Sequence, residues 1–167
     1  SGGRIHYLVA DVSGHGAHSA LSAMLLKAVF DHACQDADEP AEILANMNSR
    51  LHRFLPAELF ACALVARVDQ TGVKVGNAGI PHPFLLRAGG EIEEKPISGM
   101  PLGMFDELDP SAFDCRAVQM NAGDTLLLAT DGLGEVRNEA KVFFQDGPLR
   151  QALDEFPGAE PARLVEK

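Results

Sequence analysis

The stretch LVADVSGHGAHSALSAMLLKAVF (residues 8–30) decides the fold class, because its hydrophobic pattern changes period in the middle. Residues 4–10 predict a strand with an apolar, buried end. Helical spacing then predicts an amphipathic helix over residues 17–35, with its apolar face at Leu21, Met24, Leu25, Ala28, Val29 and His32. Between the two elements stand Asp11 and residues 13–16, which read Ser-Gly-His-Gly. Such a loop can hold a phosphate or a metal ion, or it can be a plain turn.

The rest of the chain indicates a second helix followed by antiparallel strands. Pro40 begins the second predicted helix, which runs to about Phe54 with a core face of Ile43, Leu44, Met47 and Leu51. Three strand pairs are predicted: 59–69 with 73–79, a hairpin within 84–92, and 113–120 with 124–130. Residues 93–110 are predicted to be a loop, and helical pieces follow near 147–156 and 160–167. This order predicts an α+β fold, in which helices cover antiparallel sheet, and not an alternating α/β chain.

The composition fits one globular domain, which we predict to span residues 1–167. Hydrophobic residues make up 46% of the chain and charged residues 23%, unlike a disordered chain. The net charge of −10 argues against nucleic acid as a partner, because an acidic surface repels phosphate backbones. No apolar run reaches the roughly 18 residues of a membrane helix, and no signal-peptide pattern is present. We therefore expect a cytoplasmic protein without membrane insertion, in which the three cysteines are reduced.

A second carboxylate, Asp131, stands in a setting like that of Asp11. The strand predicted over residues 124–130, with its apolar run Leu-Leu-Leu-Ala at 126–129, leads through Thr130 into Asp131-Gly132-Leu133. Each site taken alone is compatible with an ordinary turn, because aspartate and glycine are common turn residues. Two strand ends that each deliver a carboxylate favour a metal site, because hard cations need several carboxylate oxygens held by rigid elements.

The loop after Asp11 also approximates a dinucleotide-binding pattern. Residues 14–19 read Gly-His-Gly-Ala-His-Ser, which is close to G-x-G-x-x-G between a strand and a helix. The third glycine is replaced by serine, and a second helix follows where the βαβ unit needs a strand. These departures argue against a nucleotide-binding oxidoreductase, and we expect no binding of NAD(P).

Four motifs in order carry a family resemblance: Asp11-Val12-Ser13-Gly14-His15-Gly16, Asn77-Ala78-Gly79, Gly99-Met100-Pro101-Leu102-Gly103, and Gly123-Asp124-Thr125 through Thr130-Asp131-Gly132-Leu133. They span nearly the whole chain, and the first and last are the specific ones. The sequence resembles the bacterial branch of the metal-dependent serine/threonine protein phosphatases (PPM family), of the RsbU and SpoIIE type. The resemblance implies an αββα sandwich, in which two stacked antiparallel sheets are flanked by helices.

The resemblance also implies a site that holds two Mn²⁺ or Mg²⁺ ions. Asp11 would bridge the ions, Asp131 would bind one of them, and Val12 would contribute its backbone carbonyl. The phosphate and substrate loop would comprise Ser13, Gly14, Gly16 and Gly132, since glycines let the main chain approach a ligand closely. Two such ions activate a water molecule for in-line attack on phosphorus, so no nucleophilic cysteine is needed.

His15 has two possible roles in this scheme. It could act as a general acid that protonates the leaving alkoxide, or it could donate a hydrogen bond that fixes the turn of Gly14 and Gly16. The second role is favoured, because one histidine without a visible partner specifies little about acid–base chemistry. Asn77 and Gly79 are predicted to form a tight turn or bulge, while residues 99–103 either shape the rim of the site or simply connect strands.

The match to the family is incomplete at both ends. The family has further aspartates in an upstream Gly-Gly-Asp motif and a downstream Asp-Asp pair, and this chain contains neither. The chain starts at Ser1 without methionine and stops at Lys167 inside an apparent helix, so we expect a domain truncated at both ends. Two carboxylates bind Mg²⁺ or Mn²⁺ weakly, so we expect the fragment alone to be metal-free. Ile80 and Gly134 stand where the family often has histidine and threonine, which affects nearby loops more than metal chemistry.

The resemblance implies hydrolysis of phosphoserine or phosphothreonine on a regulatory protein, a phosphorylated STAS-type anti-sigma-factor antagonist. The fragment-like ends of the chain suggest an upstream sensor or receiver domain that controls this activity in a bacterial signalling protein. The alternative is a catalytically weak or inactive phosphatase-like domain that acts as a regulated protein-binding module. The absence of two expected metal-binding carboxylates motivates this alternative.

Overall fold

The structure of the chain, a computed structural model, describes residues 3–56, 58–137, 141–144 and 148–154. In chain order its elements are β1 (Ile5–Val12), α1 (Ala17–Asp36), α2 (Pro40–Phe54), β2 (Ala61–Asp69), β3 (Gly72–Ala78), β4 (Phe84–Leu86), β5 (Ile92–Glu94), β6 (Cys115–Val118), β7 (Thr125–Leu127), α3 (Asp131–Gly134) and α4 (Pro148–Asp154). They form two compact units: Ser1–Ile80 with Ile97–Gln119, and Pro81–Pro96 with Met120–Lys167. Each unit contains one antiparallel sheet and helices, which confirms the predicted α+β class.

The first unit contains a four-stranded antiparallel sheet in the order β1-β2-β3-β6, with α1 and α2 packed against it. Pro40 begins α2 at a first-turn position, as predicted. The predicted core face of α2 is also confirmed, because its four side chains are fully buried: Ile43, Leu44, Met47 and Leu51. Burial of each such side chain contributes roughly 2 kcal/mol to folding.

The predicted apolar face of α1 is largely wrong, although Val29 is buried and Leu25 packs against the core as predicted. Leu21 and Met24 are 65% and 72% exposed, whereas the buried residues of the helix are Ser22, Leu26, Val29 and Ala33. Apolar residues lie on nearly all sides of α1, so their spacing could not identify the face that packs. Ser22 tolerates burial because its hydroxyl donates a hydrogen bond to the carbonyl of His18 at 3.0 Å. None of the helices in the described ranges, α1 included, is long and apolar enough to cross a membrane.

Of the three predicted strand pairs, the first is confirmed, the second forms with its second strand later than predicted, extending to Glu94 in the predicted loop, and the third is wrong. β2 pairs with β3, and β4 pairs with β5, each as an antiparallel hairpin. The strands predicted over 113–120 and 124–130 do not pair with each other, because β6 pairs with β3 and β7 pairs with β4. The turn between them does form, with the Asp124 amide donating to the carbonyl of Asn121 at 3.1 Å. A turn signal shows that the chain reverses, but it does not identify the partner of each flanking strand.

The predicted turn at Asn77 and Gly79 is confirmed. Asn77 is fully buried, and its side-chain oxygen accepts a hydrogen bond from the Ile80 amide at 2.9 Å. Its side-chain nitrogen donates to the carbonyls of Ile80 and Ile97, at 2.8 and 2.7 Å. Gly79 has φ +87°, a conformation that favours glycine. Asn77 therefore fixes both the end of β3 and the segment that returns to the first unit at Ile97.

The second unit contains a three-stranded antiparallel sheet in the order β5-β4-β7, on which α4 packs. Leu153 of α4 is buried against Leu86 and Ile92 of the sheet. The helical piece predicted near 147–156 is thus present as α4. The piece predicted over 160–167 lies outside the described residues.

Asp124 fixes the beginning of β7 in this unit. Its side chain is 3% exposed and accepts hydrogen bonds from the amides of Asn121 and Ala88, at 2.8 and 3.0 Å. The Arg87 guanidinium donates to the same carboxylate at 2.9 Å. These donors, the Asn121 amide foremost, hold the pKa of Asp124 below its usual value. The carboxylate therefore joins the beginning of β7 to the end of β4.

We expect ionised Asp124 to stabilise the fold, so that the free energy of unfolding decreases when Asp124 is protonated at low pH. Because the folded-state pKa is lowered, the stabilisation is complete above the unfolded value of about 3.9 and is lost as the pH falls through the folded-state pKa. Asp124→Asn should lower the melting temperature at neutral pH and flatten its decrease between about pH 5 and pH 3. Circular dichroism melting curves at a series of pH values measure this. An Asp124→Asn variant whose melting temperature falls as steeply as that of the wild type would contradict it.

Candidate functional site

Asp11 is the penultimate residue of β1 and pairs in register with Cys62 of β2. The strand continues through Val12, two residues beyond its predicted end. The Asp11 side chain is exposed and makes no hydrogen bond or ion pair to any residue in the described ranges. Val12 is partly buried and packs against the core of the first unit. The end of β1 thus presents an uncommitted carboxylate on a rigid strand.

The loop after β1 is closed by Ser13. The Ser13 amide donates to the carbonyl of Phe60 at 2.9 Å, and the Phe60 amide donates to the Ser13 hydroxyl oxygen at 2.9 Å. The hydroxyl of Ser19, on α1, donates to the carbonyl of Ser13 at 3.3 Å. The Ser13 side chain therefore helps to hold the loop, in addition to any contact it makes with substrate.

Gly14 and Gly16 adopt conformations that side chains rarely permit. Their φ values are +88° and +86°, and Gly16 combines its φ with a ψ of −160°, a region occupied essentially only by glycine. Gly132 differs, since it lies in α3 without a positive φ, and an added Cβ would meet only the Thr130 hydroxyl at 3.5 Å. The first loop therefore requires glycine for its main-chain path, whereas the second does not.

His15 does not fix this loop. Its side chain is exposed and makes no hydrogen bond to any described residue. The favoured expectation of a turn-stabilising hydrogen bond from His15 is therefore wrong. The main-chain path rests on Ser13 and on the two glycines, and the imidazole is left accessible.

Asp131 does not end a strand, because β7 stops at Leu127 and Asp131 is the first residue of α3. Its carboxylate is exposed and has no hydrogen bond or ion pair within the described part of the chain. It lines a cavity of about 250 Å³ whose other polar lining residues are His82, Glu94 and Thr130. Neither Glu94 nor His82 stands in a sequence motif that would mark it as a site residue. Phe84 pairs with both Glu94 and Leu127, and only this register brings the two segments together.

The donors at these two positions fit Mg²⁺ or Mn²⁺ in kind. Both are carboxylates without a described partner, and such ions are commonly bound by one or two carboxylates together with waters and substrate phosphate oxygens. Asp11 belongs to the first unit and Asp131 to the second. Within the described ranges no three histidine, cysteine, aspartate or glutamate side chains form a cluster that could hold a metal ion. The chemistry of the donors therefore fits, while their number is small.

Two of the cysteines are poor nucleophiles. Burial, with smaller contributions from Asp31 and Asp38, raises the pKa of the Cys34 thiol to about 11. Burial also raises the pKa of Cys115. The reactive form of cysteine is the thiolate, so both thiols are weakly reactive near neutral pH.

Comparison with known proteins gives the family. The family model described as Stage II sporulation protein E (SpoIIE) matches residues 1–167, which is the whole chain. Among curated proteins, phosphoserine phosphatase RsbU of Bacillus subtilis (strain 168) is 25% identical over 164 residues, covering 96% of this chain. The chain spans about half of that relative, 48% of its length.

Solved structures show the same fold. The SiaA-PP2C domain of Pseudomonas aeruginosa superposes with a TM-score of 0.78 at 23% identity, covering 99% of this chain and 70% of that one. The structure of the RsbU and RsbW domains of Rv1364c from Mycobacterium tuberculosis gives a TM-score of 0.74 at 26% identity, covering 92% of this chain and 42% of that one. These structures share the fold of this chain, and because the family model matches residues 1–167, the chain belongs to the SpoIIE family.

Proposed function

We propose that the chain is the catalytic part of a metal-dependent protein phosphatase that hydrolyses phosphoserine or phosphothreonine. The observation that carries this proposal is the pair of exposed, uncommitted carboxylates, Asp11 and Asp131, in the two specific motifs of the family. Membership of the SpoIIE family and similarity to a protein named phosphoserine phosphatase support it. We further propose that residues 1–167 act as one PPM-type domain.

In this proposal each site residue has a defined task. Asp11 and Asp131 would hold the ions through their carboxylates, and Val12 would add its main-chain carbonyl. Bound Mn²⁺ or Mg²⁺ would supply an activated water and neutralise charge on the phosphate. Gly14 and Gly16 carry no side chains, so a phosphate can approach the main chain of the loop at these two positions. His15 is accessible and is our candidate to protonate the leaving alkoxide.

The proposed substrate is a phosphorylated STAS-type anti-sigma-factor antagonist, which dephosphorylation would release to bind its anti-sigma partner. The resemblance to phosphatases of the RsbU type supports this substrate. We also propose control by a sensor or receiver domain upstream. The greater length of RsbU, of which the chain matches 48%, is compatible with such an arrangement.

Removal of the metal tests the proposed activity. The protein in its full natural length should hydrolyse p-nitrophenyl phosphate and a phosphoserine protein in the presence of Mn²⁺. A chelator should lower the rate by about 100-fold or more, and renewed Mn²⁺ should restore it, because the ions supply several kcal/mol of transition-state stabilisation. Release of phosphate, measured against time, gives the rates. Hydrolysis of neither substrate at any Mn²⁺ concentration would overturn the proposal.

The small number of clustered metal ligands in the described ranges favours one alternative. A SpoIIE-family domain with a weak metal site could bind a phosphoprotein without hydrolysing it and thereby act as a regulated binding module. A stable complex with a phosphorylated antagonist and no release of phosphate would favour this alternative. Turnover of the same phosphoprotein would exclude it.

A further inference from the structure

The segment of residues 99–106 lies beside β2 near the end of β1. Leu102 and Ala61 exchange two main-chain hydrogen bonds, at 3.0 and 2.8 Å, and Ala61 pairs on its other side with Val12. Adjacent strands are about 4.8 Å apart, so the main chain of Leu102 lies about 10 Å from that of Val12. Asp11 directly precedes Val12. The segment is therefore close to the proposed metal-binding carboxylate within the same unit.

A buried side chain holds this segment in place. Asn48 of α2 is fully buried, and its amide group makes three hydrogen bonds to the main chain of the segment, with Gly103, Phe105 and Asp106. His52, one turn later on α2, forms a 2.9 Å hydrogen bond with the carbonyl of Gly103. The main chain is thus ordered before any ligand binds, which reduces the entropy lost on binding.

The same segment exposes three large apolar side chains. Met100, Met104 and Phe105 are 40%, 50% and 44% exposed. Methionine and phenylalanine are enriched at protein interfaces, and methionine adapts its shape to different partners. Apolar side chains on a fixed main chain, about 10 to 17 Å from the catalytic end of β1, are suited to bind a substrate segment.

Acidic residues follow the apolar ones. Asp106 and Glu107 are exposed, and their carboxylates make no hydrogen bond or ion pair to any described residue. The chain as a whole carries a net charge of −10. A peptide with lysine or arginine beyond its apolar residue would complement this surface.

We propose that residues 100–107 bind the part of the substrate protein that flanks its phosphoserine. An extended peptide advances about 3.3 Å per residue, so the bound apolar side chain lies about three to five residues from the phosphoserine. Basic side chains farther along pair with Asp106 and Glu107. This inference rests on the proposed phosphatase function and assigns that function a specificity-determining surface.

Peptide binding tests the surface directly. The probe is a labelled synthetic phosphoserine peptide with a leucine about four residues to either side and lysines beyond them. Fluorescence anisotropy in the presence of a chelator measures its binding to the protein of full natural length. Met104→Ala with Phe105→Ala should weaken binding about tenfold, as expected for truncated interface anchors. The KM for hydrolysis of this peptide with Mn²⁺ should rise by a similar factor, while the rate on p-nitrophenyl phosphate stays unchanged.

A matched variant controls for loss of exposed apolar surface. Ile5 and Tyr7 are 53% and 52% exposed at the opposite end of β1 from Asp11, so Ile5→Ala with Tyr7→Ala should leave peptide binding unchanged. The proposal is overturned if the wild type does not bind the peptide, if Met104→Ala with Phe105→Ala binds it as tightly as the wild type does, or if that variant loses activity equally on p-nitrophenyl phosphate. Binding that the variant weakens, without turnover by the wild type in Mn²⁺, would support the surface and overturn the phosphatase function.

Discussion

Asp11→Asn should lower the Mn²⁺-dependent hydrolysis of p-nitrophenyl phosphate by about 100-fold or more, without loss of the fold. The substitution removes the negative charge of a proposed metal ligand, and metal ions supply several kcal/mol of transition-state stabilisation, with about 1.4 kcal/mol for each factor of ten. The Asp11 side chain is exposed and has no described partner, so its loss should change the free energy of unfolding by less than about 0.5 kcal/mol. Steady-state kinetics and thermal melting measure the two effects.

Asp31→Asn provides the control for this prediction. Asp31 is also an exposed aspartate of the first unit, but it pairs with Lys27 on the surface of α1 at 2.6 Å. An exposed pair of this kind contributes little to stability, so both activity and melting temperature should stay close to the wild type. An Asp11→Asn variant with full activity would contradict the proposed role. A variant that lost activity together with its fold would show that Asp11 is structural.

The double variant shows whether the two carboxylates serve one site. Asp131→Asn should cause a loss similar to that of Asp11→Asn if both hold the same pair of ions. Residues that act as a unit are strongly non-additive, so the combination should then be little worse than either single change. Multiplication of the two losses would instead indicate independent roles for Asp11 and Asp131.

The buried faces of the helices in the first unit could be predicted from sequence where the hydrophobic pattern was compatible with only one buried face. The helix α2 has apolar residues on one face and polar residues on the other, and the four predicted core residues are all buried. The helix α1 is apolar on nearly all sides, and most of the predicted face was wrong, because Leu21 and Met24 are exposed while Val29 is buried. Periodicity identifies a buried face only when the remaining faces are polar.

Strand pairing shows the same limit over longer distances. The hairpins β2–β3 and β4–β5 follow from short turns, which fix the register of the strands they join. β6 and β7 also flank a turn, yet they join different sheets. Asp124 at that turn receives hydrogen bonds from Ala88 and Arg87, which lie more than thirty residues away in sequence. No local pattern signals such contacts.

The candidate site divides in a similar way. Asp11 and Asp131 could be chosen from sequence because each stands in a motif, and both are exposed and uncommitted in the structure. The sequence could not predict that residues 99–106 lie beside the end of β1. Their position depends on hydrogen bonds from Asn48 and on the main-chain pairing of Ala61 with Leu102. The two candidate carboxylates could thus be named from the sequence, while the surface around Asp11 required the tertiary structure.

Gly99→Ala should destabilise the protein by more than about 3 kcal/mol, the largest stability effect we expect from removal of any glycine. A Cβ atom at position 99 would lie 1.8 Å from the carbonyl oxygen of Asn77 and 2.8 Å from its carbonyl carbon. Both are main-chain atoms of β3, so relief of the clash requires a strand to move. Overpacking of a well-packed site costs 1 to 3 kcal/mol or more, typically about 2, when flexible side chains can yield, and here only main chain can.

The side chain of Asn77 makes that movement costly. It donates to the carbonyls of Ile80 and Ile97 and accepts from the Ile80 amide, so a shift of β3 away from residue 99 would weaken three buried hydrogen bonds. Each buried polar group left unsatisfied costs about 1 to 3 kcal/mol. Asn77→Ala should therefore also be strongly destabilising, by several kcal/mol. This variant is a second test of whether the contact between residue 99 and β3 is fixed.

Gly89→Ala is the matched control, because a Cβ at that position meets no atom within 4 Å and its φ is not positive. It should change the free energy of unfolding by less than about 0.5 kcal/mol. Urea unfolding curves of the three variants measure these differences, and if Gly99→Ala does not fold at all, Asn77→Ala gives the measurable value. A Gly99→Ala protein as stable as Gly89→Ala would mean that the segment can move away from Asn77. The same result would contradict our inference that the main chain of residues 99–106 is fixed, and the proposed substrate surface depends on that inference.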